Sequence, residues 1–299
     1  MAHKIRLGLI GLSPGNGHPY SWAALCNGYN REAMENCGFP VIPQYLEKYH
    51  FPSDFINNAH VTHIWTQDSG LSSQIAFASN IESIVDDFRD LIGQVDGVLL
   101  ARDDADMHLH YSRPFLEAGI PIYVDKPLAL TLENAKRLID LQAYQGQLFS
   151  CSALRYAQEL MLSSSQLKSL GEIKCVMGFS PKDWDKYAIH IIEPMLGLFP
   201  ELSSDIKELS RRVSSNRIVL HGECHSGLEF EITTMGKCTL PISLKIVGED
   251  NFIDLTFNNT FDAFKNALQT FIDFTCRKVE AISTKEMLAS IALVEAGRA

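Results

Sequence analysis

The chain lacks paired cysteines. Its seven cysteines (Cys26, Cys37, Cys151, Cys175, Cys224, Cys238 and Cys276) are odd in number, lie far apart and form no C-x-x-C pair. A disulfide framework and a zinc site are therefore not expected, and reduced, mostly buried thiols are. Also missing is any apolar run of the roughly 18 residues that a bilayer span needs. The opening MAHKIRLGLIGLS has neither the apolar core nor the small-residue cleavage site of a signal peptide. A soluble, cytoplasmic chain without a membrane partner is the expectation. A basic excess is lacking too. Lys and Arg number 26 against 36 Asp and Glu, giving a net charge of −10 with no basic stripe, so nucleic acid is not an expected partner. Apolar residues make up 46% and charged residues 21% of 299, which is ordinary for a globular protein, and the length favours two domains.

What is present alternates. Residues 4–11 (KIRLGLIG), 61–66 (VTHIWT), 97–101 (GVLLA) and 120–124 (IPIYV) read as short apolar strands. Between and after them, residues 22–26, 81–91, 108–118 and 132–143 read as helices, the last opened by Thr131 as N-cap. Buried strands separated by amphipathic helices predict a doubly wound parallel sheet of Rossmann type over residues 1–125. Residues 30–58, with Pro40, Pro43 and Pro52, interrupt the alternation as an insertion. Beyond residue 126 the texture changes. Candidate strands at 171–178, 218–224, 227–235, 240–247 and 252–257 predict an α/β domain over 126–299 with an open, mostly antiparallel sheet. Helices are expected at 186–199, 260–278 and 284–297.

The first strand runs into G-L-S-P-G-N-G-H-P-Y-S-W. A glycine turn between strand and helix presents backbone N–H groups to a diphosphate, so Gly11, Leu12, Ser13, Gly15 and Asn16 are candidate cofactor contacts. The spacing is not G-x-G-x-x-G, because Ser13 and Asn16 occupy the later glycine positions. Asp68, just beyond the second strand, is the candidate carboxylate for the adenosine ribose hydroxyls; its charge would repel a 2′-phosphate, favouring NAD over NADP. His18 and Tyr20 combine ring and polar tip at the same sheet edge and suit a sugar.

The sharpest signal is Tyr-Val-Asp-Lys-Pro-Leu-Ala at 123–129. Lys126 follows a parallel strand, at the carboxyl edge where open α/β sheets bind ligands. Pro127 restricts it to an extended conformation and makes a cis bond accessible. A lysine fixed in a cleft can take part in proton transfer, helped by desolvation or a cationic neighbour. Arg102–His110 (RDDADMHLH) offers acids and two histidines. On a helix His108 and His110 diverge by about 200°, so no metal site is expected there.

Together these features resemble the Gfo/Idh/MocA oxidoreductases, and most strongly over 97–135, where His108 precedes Ala118-Gly119 and Asp125-Lys126-Pro127 stands for Glu-Lys-Pro. The resemblance implies a Rossmann domain followed by an α/β domain whose open sheet face mediates homodimer or homotetramer formation. It implies that Lys126 sits beside the nicotinamide and the substrate hydroxyl. Ala101, Arg102, His108 and Asp125 would line the cofactor groove, and Ser150–Tyr156, including Arg155, would enter the second domain near the site. A later Asp-x-x-x-His motif is matched by His190, but Lys186 holds the aspartate position. Either the acid–base set is thus Lys126, Lys186 and His190, with Glu193 placed to hold the His190 ring and Tyr187 to hold substrate, or the chemistry differs from the family norm. The function so implied is an NAD(P)-dependent hydride transfer to or from a carbinol or ketone of a sugar, polyol or sugar derivative. The altered glycine turn and the missing aspartate leave a second reading open, a non-catalytic sensor of a dinucleotide or sugar on the same fold.

Overall fold

The computed structural model describes residues 4–280 and 282–298. The chain divides into two compact units. The first takes in residues up to Leu128 with Lys136–Ser150 and Phe264–Ile282, and the second holds Ala129–Ala135, Cys151–Ala263 and the residues from Ser283 on.

In the first unit, β1 (Ile5–Gly11) is buried from Leu7 onward and leads into α1 (His18–Asn27). Two short helices follow, α2 (Arg31–Glu35) and α3 (Val41–Leu46), then β2 (Ala59–Thr66), α4 (Ser69–Ala78) and β3 (Ser83–Ile84). The unit continues with β4 (Gly97–Leu100), α5 (His108–Glu117) and β5 (Ile122–Val124). After α6 (Leu132–Ile139), β6 (Leu148–Phe149) completes a six-stranded sheet in the order β3-β2-β1-β4-β5-β6. Every pairing in it is parallel. The chain runs outward from β1 in both directions, so the crevice for a ligand opens at the carboxyl ends of β1 and β4.

Two expectations need correction here, and a third point was left open by the sequence. The sheet does not end at residue 125, because β6 pairs with β5 at Ile122↔Leu148. Phe271 also returns to this unit, fully buried, with its ring 5.7 Å from Tyr123 and 5.8 Å from Phe149. Second, residues 81–91 are not a helix. Ser83–Ile84 joins the sheet edge, and an Asp87 capping box starts only a 3₁₀ turn at Phe88–Leu91. The helix lies earlier, as α4, started by Asp68, whose side chain accepts from the Leu71 amide at 2.8 Å. Third, the insertion at 30–58 is built into the core. Met34 and Leu46 are fully buried, Phe55 and Ile56 nearly so, and the Ile56 amide donates to the Leu25 carbonyl at 3.0 Å. It covers α1, every residue of which beyond His18 is buried.

The second unit carries α7 (Ser164–Leu170), β7 (Ile173–Ser180), α8 (Trp184–Tyr187), α9 (Ile189–Leu198), β8 (Ile206–Ser214), β9 (Arg217–Cys224), β10 (Glu229–Thr234), β11 (Ser243–Gly248) and β12 (Phe252–Thr256). Two further helices close the chain, α10 (Thr260–Thr275), which the division between units crosses, and α11 (Thr284–Arg298). The sheet order is β12-β11-β7-β10-β9-β8, antiparallel throughout except for the β7–β10 pair, in line with the mostly antiparallel sheet expected. β8 escapes a reading by hydrophobic pattern because it is an exposed edge, with Lys, Glu, Ser and Arg along most of its length. One face of β7 receives α9, with Ile191 filling the space that Gly178 leaves. The expected helix at 186–199 is two helices, and Pro194 lies inside the second without ending it. No helix among the described residues is long and apolar enough to cross a membrane.

Leu46→Ala tests whether the insertion is core or a detachable flap. Removing a fully buried leucine costs about 2–5 kcal/mol, so the urea midpoint should fall clearly. A midpoint within error of wild type would show that 30–58 packs independently of the sheet.

Candidate active site

The carboxyl ends of β1, β4 and β5 gather a buried polar network. Gly11 ends β1 without a side chain because a Cβ there would stand 2.5 Å from Pro19 Cγ. Leu12 is gripped by Gln67, its amide donating to Oε1 at 3.2 Å and its carbonyl accepting from Nε2 at 2.8 Å. Gln67 Oε1 also accepts from Arg102 at 2.9 Å. Arg102 is buried, forks onto Asp104 at 3.0 and 2.6 Å, and lies over the Tyr111 ring at 4.8 Å. Ser13, also buried, donates to Asp103 Oδ1 at 2.6 Å, and its oxygen accepts from the Asp103 amide at 3.0 Å.

At the centre is Asp125, 1% exposed. Its Oδ2 accepts from Asn16 Nδ2 at 2.8 Å and faces His18 Nδ1 at 2.6 Å. Its Oδ1 accepts from the Lys126 amide at 2.8 Å. Burial pushes the Asp125 pKa up, but the charges of His18 and Lys126 and the hydrogen bonds from His18 and Asn16 outweigh it, holding the carboxyl well below the usual range. Lys126, 7% exposed, precedes a cis proline bond and places Nζ 3.8 Å from Asp125 and 3.9 Å from Asp103. Both of these neighbours are anionic, where a cationic partner was expected. The His18 ring is stacked on Trp22 (5.2 Å) and edge-on to Phe264 (5.0 Å).

Several predicted contacts prove to be struts. His108 is fully buried, with Nδ1 2.9 Å from the Leu128 carbonyl and Nε2 2.8 Å from the Arg102 carbonyl, so it braces the edge instead of lining a groove. Ala101 has no exposed side chain and continues the sheet, its amide donating to Ile10 at 2.8 Å. Tyr20 is buried on α1, with its ring 6.1 Å from Phe39 of the insertion, and is core. Asp68 stands exposed at the carboxyl end of β2 with one oxygen spent on the α4 cap. Asp103 and Gln67 were not singled out by sequence reasoning. Asp103 was visible only as one acid in a run, although it directly follows the Ala101-Arg102 end of a central strand.

In the second unit, His190 Nδ1 lies 2.7 Å from Ser152 Oγ, and its ring is edge-on to Tyr187 at 5.3 Å. The Tyr187 hydroxyl bonds to Lys182, whose ammonium also lies over the tyrosine ring at 4.4 Å. Lys186 lies on α8, its amide donating to Asp183 at 3.0 Å, and Asp185 pairs with Arg298 at 2.9 Å. Arg155 is a clamp, bonded to Glu193 at 3.1 Å and Glu286 at 2.6 Å. Glu193 therefore serves Arg155 and not the His190 ring. Burial lowers the Arg155 pKa, but the two carboxylates reverse this and raise it.

Residues 38–152 match the model of the Gfo/Idh/MocA oxidoreductase family, described as having an NAD-binding Rossmann fold. The Escherichia coli (strain K12) protein named uncharacterized oxidoreductase YhhX is 29% identical over 116 residues, which is 37% of this chain and a third (33%) of that protein's length. Among solved structures, myo-inositol dehydrogenase from Lactobacillus casei, in complex with NAD(H) and myo-inositol, superposes with a TM-score of 0.76 at 15% identity, over 99% of this chain and 94% of its own. Scyllo-inositol dehydrogenase from the same organism, with NAD(H) and scyllo-inositol, gives 0.72 at 12% identity, over 99% and 96%. Myo-inositol 2-dehydrogenase from Lactobacillus plantarum gives 0.74 at 12%, over 99% and 96%. The resemblance read at 97–135 is borne out, and the two-sheet fold with it.

A dinucleotide fits this edge in part through residues already named. Asp68 stands at the tip of β2. Gly15 adopts φ +81° with open space where a Cβ would be. The first amides of α1 are already spent. Asn16 Oδ1 accepts from the His18 amide at 2.9 Å, Pro19 has none, and those of Tyr20 and Ser21 turn back to the Gly17 carbonyl. A diphosphate would therefore rest on the turn around Gly15, not on the helix.

Because the folded Asp125 pKa is depressed, its stabilisation is fully present above the unfolded value of about 3.9 and is lost as pH falls through the folded value. Urea unfolding of wild type and Asp125→Asn should differ most near pH 6. The gap should close as pH drops below about 4. A gap that is constant with pH would show that Asp125 is not held ionised.

Proposed function

We propose that the chain is a dehydrogenase moving a hydride between NAD(H) and a carbinol or ketone of a polyol, sugar or sugar derivative. The observation that carries this is Lys126, buried at the carboxyl edge of β5 beside the topological crevice, with its ammonium gathered by Asp125 and Asp103. Bound there, the nicotinamide would supply the two-electron chemistry, and the protein would supply orientation and proton handling. Lys126 offers N–H donors to the substrate oxygen. Asp68 offers a carboxylate to ribose hydroxyls and repels a 2′-phosphate, which favours NAD. His190, with Ser152 near its ring, keeps the proton-relay role read from the sequence, and Lys186 or Tyr187 that of holding substrate. The myo- and scyllo-inositol bound by the structural neighbours make cyclic polyols the first substrates to try. Seven free cysteines suit a reducing cytoplasm.

The test is thermal shift with NAD+ and NADP+, followed by a polyol and sugar screen read at the NADH absorbance band. Lys126→Ala should lower turnover by about 10²–10⁴ while NADH affinity, from fluorescence titration, stays near wild type. Full turnover in that variant would remove Lys126 from the chemistry. Cofactor binding without turnover by wild type across the screen would favour the sensor instead.

The same reading includes self-association through the second sheet. Cys175, Met177 and Phe179 alternate along β7 on the face opposite α9 and are only half-buried. Met177→Glu should reduce the particle mass seen by light scattering after size exclusion, and a wild type that is monomeric at micromolar concentration would refute it.

A further inference from the structure

The His18–Asp125 pair ties the first residue of α1 to the carboxyl end of β5. We propose that His18, oriented by Asp125, is the first proton acceptor for the substrate hydroxyl in place of His190, with Lys126 holding the oxygen. This rests on the dehydrogenase reading and adds to it a proton route through α1.

The geometry argues for it in three steps. Asp125 cannot take the proton itself. Its Oδ2 is occupied by Asn16 and His18 and its Oδ1 by the Lys126 amide, and it is 1% exposed. His18 is the route outward, because its side chain is 17% exposed while its Nδ1 sits 2.6 Å from the buried carboxylate. An ionised carboxylate can only accept, so Nδ1 carries a hydrogen, and in the neutral form of the ring Nε2 is then left as the acceptor. Finally, the ring is held in place. Trp22 stacks on one face and Phe264 meets it edge-on, so the ring is fixed in direction, and its Nε2 has no hydrogen-bond partner among the described residues. The charged groups around the ring are Asp125, with Lys126 and Asp103 one step further through the Lys126 ammonium.

The step balances simply. The substrate O–H bond breaks and its proton goes to His18 Nε2. The nicotinamide, when bound, would take up the carbon's hydrogen as hydride and so supply the two-electron acceptor, and the carbon–oxygen bond would become a carbonyl. The imidazolium then returns its proton to solvent.

Long-range ¹H–¹⁵N correlation of the histidine rings in the cofactor-free wild-type protein, with His18 assigned by its loss in His18→Gln, reads the tautomer directly. Expected is an N–H on Nδ1 and a bare Nε2 for the neutral ring, changing when Asp125→Asn removes the charge. An Nε2–H tautomer, or a ring indifferent to Asp125→Asn, overturns the proposal. In turnover, His18→Gln should lower kcat by about 10²–10⁴, leave NADH affinity unchanged, and flatten the pH profile of kcat/KM. A wild-type pH profile retained in His18→Gln overturns the proposal while the dehydrogenase stands. A wild type that binds NADH but oxidises nothing overturns both.

Discussion

A single buried negative charge organises the edge of the first sheet. Taking a carboxylate out of water costs several kcal/mol unless it is hydrogen-bonded and paired. Asp125 meets that demand with Asn16, the Lys126 amide, and the cationic or polar tips of His18 and Lys126. The demand then propagates. Asn16 must reach across from the β1–α1 turn, so its other side-chain atom is left to cap the His18 amide, which fixes the start of α1. His18 must lie flat against Trp22, so Trp22 enters the core and stacks on Tyr123 at 4.7 Å.

This also explains the departure from a G-x-G-x-x-G turn. In that motif the helix N-terminus is kept open for an anion and its partial positive charge is spent on a diphosphate. Here the protein's own carboxylate is bonded to residues 16 and 18, beside the same helix end, and the first amides are satisfied by Asn16 and Gly17. Glycine is required at Gly11 and Gly17 for a different purpose. A Cβ would strike Pro19 at the first and Phe39 with Ile42 at the second, the latter two belonging to the insertion. The turn is thus shaped by packing against 30–58 as much as by any ligand, and a longer, looser sequence is what such packing leaves.

The strands of the first sheet were legible because burial on both faces leaves an apolar run with no competing pattern, as in GVLL and IYV. The Asp-Lys-Pro edge was legible because a charged pair after such a run has few structural excuses. Other parts could not be read. Ile81, Ile84, Phe88 and Leu91 mimic helical spacing, but the Asp87 capping box restarts the chain and the edge of the sheet recruits Ser83–Ile84. Tyr20 looked like a ligand contact because nothing local announces that a distant insertion will cover it. Arg155 and Glu193 looked available for the same reason. Glu193 is taken up by Arg155, whose other partner Glu286 lies 131 residues away, a separation across which no periodicity speaks.

The exchange of Glu for Asp before the Lys-Pro pair brings these threads together. An aspartate is one methylene shorter, so its carboxylate stays close to the strand and deep below the surface. Such a carboxylate reaches little beyond its own edge unless a second side chain carries its influence outward. His18 spans that gap, bonded at one end and partly exposed at the other. The shortened acid and the histidine at the first position of α1 are therefore one structural solution.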